Sequence, residues 1–84
     1  MVIQYLNQTS FTGPAIPLDS VSGEVSLFVS GTGPVSIERL CADGVWRGFP
    51  DLQFTGAVAK ILSLRNATYR VAITGGPTTV ELQT

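Results

Sequence analysis

The sequence predicts an all-β fold, a small antiparallel β-sandwich or jelly-roll-like barrel, with residues 1–84 in a single domain. Three observations point there. Apolar and polar residues alternate through Glu24–Ser30 and Thr68–Thr74, the mark of a strand with one buried face. Turn-forming residues recur roughly every eight to twelve positions, the spacing of a sandwich or small barrel. The longest stretch free of glycine and proline, residues 57–74, carries no helical period.

The elements follow in chain order. Val2–Gln8 reads as the first strand, with either Val2 and Leu6 or Ile3 and Tyr5 inward. Residues 9–23 read as an extended arm or an edge segment, because Pro14 and Pro17 cannot donate to a ladder inside a sheet. Glu24–Ser30 turns Val25, Leu27 and Val29 to the core, and Pro34–Cys41 does the same with Val35 and Ile37. Val45–Phe49 returns from it, followed by Gln53–Thr55 and Ala57–Leu64. Thr68–Thr74 places Tyr69, Val71 and Ile73 inward, and Thr78–Gln83 places Val80 and Leu82 inward. The turns are Gly31-Thr32-Gly33, Asp43-Gly44 and Gly75-Gly76-Pro77. GTGPVSIE (31–38) and GGPTTVEL (75–82) echo each other as a glycine turn leading into a strand, too short an echo for a repeat architecture.

Asp-Gly between two β-prone runs is a strong hairpin signal, and a type I′ loop of two residues fits it. That register sets Cys41 opposite Trp46, Leu40 opposite Arg47 and Glu38 opposite Phe49, and opposed residues share a face. Cys41 and Trp46 then extend the core face of Ile37. The reverse face carries Glu38, Leu40, Val45, Arg47 and Phe49, half apolar with a diagonal Glu38–Arg47 ion pair. These five are the candidate protein-contact residues, the alternative being a second inner face.

Composition narrows the function classes. Only 13% of residues are charged and the net charge is −1, so there is no basic footprint for nucleic acid and no polybasic patch for a membrane surface. Average domains carry about 25% charged residues; this shortfall anticipates a surface covered by protein. The chain has one cysteine and no histidine. No disulfide can form within it, a tetrahedral zinc site lacks ligands, and a serine triad lacks its base. Cys41 likewise has no histidine to generate a thiolate. Asp43 belongs to the turn and Asp51 follows Pro50, so neither reads as half of a carboxylate pair. Phosphate-loop and calcium-loop spacings are missing as well. The expectation is a non-enzyme without metal or cofactor. A domain this small hides only about 60–65% of its chain surface, and with disulfides and metal excluded, self-association is the expected supplement. The opening residues lack the basic start of a signal peptide, and no run reaches the roughly 20 apolar residues of a membrane helix; synthesis in a cytoplasm is expected. Asn7-Gln8-Thr9 and Asn66-Ala67-Thr68 match the glycosylation acceptor pattern and are read as chance.

The Asp-Gly turn followed by Val45-Trp46, the short Phe54-Thr55 strand and the stretch NATYRVAITGG (66–76) together resemble small all-β virion proteins of tailed bacteriophages, in particular capsid decoration (cement) proteins. The resemblance covers residues 24–82 and not the N-terminal third. It implies a homo-oligomer on the outer capsid lattice of the virion, with other virion proteins, the major capsid protein foremost, as partners and no catalytic residues. A tail or head–tail connector component belongs to the same class. The alternative class is a carbohydrate- or receptor-binding module of a fibre, with Tyr5, Trp46 and Tyr69 as the aromatic candidates.

Overall fold

Strict alternation forces apolar residues to one side of each strand, and two such sides must close on each other. In a computed structural model of the chain, which describes residues 2–18, 24–64 and 67–83, this closure gives a β-sandwich of two antiparallel sheets. The strands are β1 (Val2–Gln8), β2 (Phe11–Thr12), β3 (Ile16–Leu18), β4 (Glu24–Gly31), β5 (Pro34–Leu40), β6 (Trp46–Thr55), β7 (Val58–Ser63), β8 (Ala67–Ile73) and β9 (Thr78–Gln83). The first sheet has the order β1-β9-β4-β7. The second has the order β2-β8-β5-β6, with β3 also on β8.

Leu27, Val71 and Val80 are fully sealed, and Val25, Val29, Val35, Ile37, Tyr69, Ile73 and Leu82 are buried around them. Ile16, Phe54, Leu62 and Leu64 complete the core. In β1 it is Ile3 and Tyr5 that face inward, opposite Leu82 and Val80. The segment after β1 is an edge and not an arm as far as residue 18. Phe11–Thr12 and Ile16–Leu18 both pair with β8, and the prolines fall where no ladder hydrogen bond is required; the remainder of the 9–23 segment lies outside the described residues. The predicted strands Val45–Phe49 and Gln53–Thr55 merge from Trp46 onward into one strand, β6, interrupted by an excursion. Ser36 pairs with Gln53 and Glu38 with Gly48, so residues 49–52 stand opposite Ile37 alone.

The two echoing glycine turns meet in space. One carries β4 into β5 and the other β8 into β9, and each crosses between the sheets. Thr32 N donates to Pro77 O (3.4 Å) and Thr74 N to Pro34 O (3.1 Å). Thr78, 1% exposed, accepts from Gly33 N and donates to Gly75 O, both at 2.9 Å. Gly33 is required here, because a Cβ would collide with the Gly75 carbonyl oxygen. Their likeness is the likeness of two halves of one clasp.

Candidate contact surfaces

The hairpin tip departs from the type I′ expectation. Gly44 N donates to Cys41 O (2.9 Å) and Cys41 N to Val45 O (3.0 Å), so Cys41 and Val45 close a loop of residues 42–44. Gly44 has φ +82°, while among the described non-glycine residues only Asn7 has a positive φ. Asp43 therefore lacks the conformation that type I′ demands, and the tip is the three-residue loop ending in a left-handed glycine. Asp43 itself favours it by accepting from Val45 N (3.2 Å), the usual reach of an Asp side chain to the backbone two residues on.

The register moves by one residue, and a one-residue slip exchanges the faces. Leu40 stands opposite Trp46, Arg39 opposite Arg47 and Glu38 opposite Gly48. Trp46 is thus not a core anchor. It lies half-buried on the outer face of the second sheet, with the Arg70 guanidinium 4.5 Å from its ring centroid. Nor is Cys41 a core residue. It is a half-buried free thiol at the loop, its Sγ 3.8 Å from Arg39 O. The diagonal Glu38–Arg47 pair does not form. Glu38 Oε1 accepts from Arg70 Nε (2.6 Å), and Arg47 forks onto both Asp43 oxygens at 3.0 and 2.8 Å. That fork, then the Val45 N–H, holds the Asp43 carboxyl below its ordinary pKa. The five contact candidates consequently occupy three places. Glu38 and Leu40 share the outer face with Trp46, Val45 and Arg47 sit at the tip, and Phe49 stands in the β6 excursion.

The broader apolar surface lies on the first sheet. The register puts Phe28 beside Ala59 and Glu81, and Ile61 beside Ser26, all on the outer face. Phe28 is 47% exposed and Ile61 69%; Val2 and Leu6 on the neighbouring edge strand are also exposed. Across this face Gln4 Nε2 donates to Glu81 Oε1 (2.6 Å) and Asn7 N to Thr79 Oγ1 (3.1 Å). Small side chains on β4, β7 and β9 leave an open depression of about 500 Å³ against Phe28, with Ser30, Ala59 and Thr79 in its floor. Exposed apolar residues on one contiguous face mark protein contact.

Sequence reasoning missed this face, although a signal existed. Phe28 interrupts the polar set Glu24, Ser26, Ser30 of an otherwise regular strand, and Ile61 falls with Ala57, Ala59 and Ser63. Of the aromatics considered for sugar stacking, Tyr69 is 4% exposed and Tyr5 faces inward against Phe11, with ring centroids 4.7 Å apart. Burial raises the Tyr5 pKa. Among the described residues no three His, Cys, Asp or Glu side chains gather as a metal site, and no helix is long and apolar enough to cross a membrane. Comparison with protein-family models, curated proteins and solved structures finds no match.

Proposed function

We propose that the chain is a non-enzymatic structural protein of a tailed-bacteriophage particle, a decoration protein that docks on the capsid surface as an oligomer. Its contact surface is the outer face of the first sheet. The observation that carries this is the exposure of Phe28 and Ile61 on one sheet face, where the charges are those of Glu24 and Glu81. The likeness of residues 24–82 to decoration proteins supplies the particle, and a tail or connector component would use the same surface. Sugar binding at Trp46 has less support, since Arg70 occupies one side of the indole.

The test pairs light scattering across a dilution series with co-sedimentation on phage heads assembled without the chain. Phe28→Ser combined with Ile61→Ser removes two half-exposed apolar side chains whose full burial in a contact adds about 1–1.5 kcal/mol each. Association should weaken by roughly 30- to 150-fold while the unfolding midpoint stays near wild type. Wild-type protein that neither self-associates nor sediments with heads would overturn the proposal.

A further inference from the structure

Between the β6 excursion, the end of β7 and β8 lies an open cavity of about 330 Å³ lined by Arg39, Phe49, Asp51, Leu52, Ser63, Leu64 and Tyr69. Arg39 is out of place on physical grounds. It occupies the inward register of a central strand, in line with buried Val35 and Ile37, with Arg47 directly opposite on β6 and Tyr69 opposite on β8. Like charges directly opposed destabilise a sheet. Arg47 and Arg70 both hold carboxylates, from Asp43 and Glu38. Arg39 has no such partner among the described residues, and its Nε is sealed from solvent without a hydrogen bond. Asp51 lines the same cavity yet forms no ion pair with it. A guanidinium cannot shed its proton, and half-buried Arg39 meets no counter-charge among the described residues. The rest of the wall is Phe49, Leu52 and Leu64 with Ser63 and the Tyr69 ring beside them.

We propose that this cavity binds a carboxylate carried on an apolar body, the carboxylate on Arg39 and the body against Phe49, Leu52 and Leu64. The guanidinium fork matches a carboxylate in a two-bond geometry, and the volume lies at the small end of ligand sites, about 300–1,000 Å³. The ligand is either a free aromatic acid or the C-terminal carboxylate of a partner chain ending in an apolar residue. Asp51 opposes the anion and restrains affinity.

The probes are 3-phenylpropionate, its uncharged amide, and a short peptide ending in phenylalanine with a free carboxylate, each titrated into isotope-labelled full-length protein and followed by backbone NMR shifts. Saturable shifts at Arg39, Phe49–Leu52 and Leu64 are expected with the acid or the peptide. The amide should bind at least about tenfold more weakly, the loss expected when a charged group is left unpaired. Tighter binding of the peptide identifies a partner terminus, and tighter binding of the free acid a small molecule. Arg39→Gln should abolish the shifts, Arg39→Lys should retain part of the affinity, and Asp51→Asn should tighten binding by a few-fold. Asp51 is exposed, so that variant remains informative even if Arg39→Gln fails to fold. No saturable shift by about 20 mM, which is about 2.3 kcal/mol of binding free energy, overturns the proposal. Equal binding of acid and amide, or Asp51→Asn without effect alongside an undiminished Arg39 variant, overturns it too.

Discussion

Replacing Thr78 with valine removes one hydroxyl and keeps the shape of the side chain. That hydroxyl serves two backbone groups, the Gly33 N–H and the Gly75 carbonyl, each at 2.9 Å. Gly33 is buried and Gly75 half-buried, so water can relieve the second more readily than the first. An unsatisfied buried group costs about 1–3 kcal/mol, and the two together place the loss at about 2–4 kcal/mol. A domain of this size has roughly 4–13 kcal/mol in total, so valine should remove a large fraction of it. Thr78→Ser is the control. It keeps both hydrogen bonds and loses a methyl group, about 1 kcal/mol. Urea titrations followed by Trp46 fluorescence and by circular dichroism measure both variants, and equal slopes would show that stability changed with the same surface exposed on unfolding. A valine variant within about 0.5 kcal/mol of wild type, or one more stable than the serine variant, would refute the clasp as an energetic link between the sheets.

Other variants probe other parts of the fold. Tyr5→Phe should be neutral or stabilise by about 1 kcal/mol in thermal melts, because the Tyr5 hydroxyl is buried without a partner and removing it abolishes an unmet bond. Leu27→Ala, at a site with 0% exposure, should cost about 3–5 kcal/mol in the same melts through the cavity it leaves. Trp46→Ala should leave the fold intact by circular dichroism and cost only about 1 kcal/mol, the worth of a half-exposed ring with one cation over it. The Asp43 carboxyl should titrate below its usual value of 3.8 by NMR, and Arg47→Gln should return it upward. With the folded-state pKa depressed, its contact favours the hairpin above the unfolded-state pKa and fades as pH falls through the lowered midpoint.

Most of the architecture was legible because period-two alternation is a local property. Val25, Leu27 and Val29, or Tyr69, Val71 and Ile73, need no knowledge of their neighbours to declare a buried side. What was not legible depended on register. Asp43-Gly44 signals a hairpin under either loop length, and only the sign of φ at Asp43 separates them; that choice carried Trp46 from the core to the surface and separated Glu38 from Arg47. Phe54, Leu62 and Leu64 were missed as core because their segments are short or hold a mixed face, with Lys60 at the inward register reaching over the Phe54 ring at 5.7 Å. Phe28 was hidden by the habit of assigning an outward position to solvent. The Arg39 cavity needed the excursion of residues 49–52, which no pattern in the sequence announces.

That excursion also sets a direction for growth. An incoming strand needs an uninterrupted row of free N–H and C=O groups along an edge. Among the described residues the second sheet offers none: on one side β6 is thrown out of line at residues 49–52 with Pro50 in the break, and on the other the edge is split into β2 and β3 with Pro14 and Pro17 along it. The first sheet ends in β1, irregular only between Tyr5 and Gln8, and in β7, which pairs without a break and contains no proline. The molecule is therefore a brick with mortar on one layer only: any ribbon built edge to edge must run through the first sheet, leaving the second facing outward in every copy.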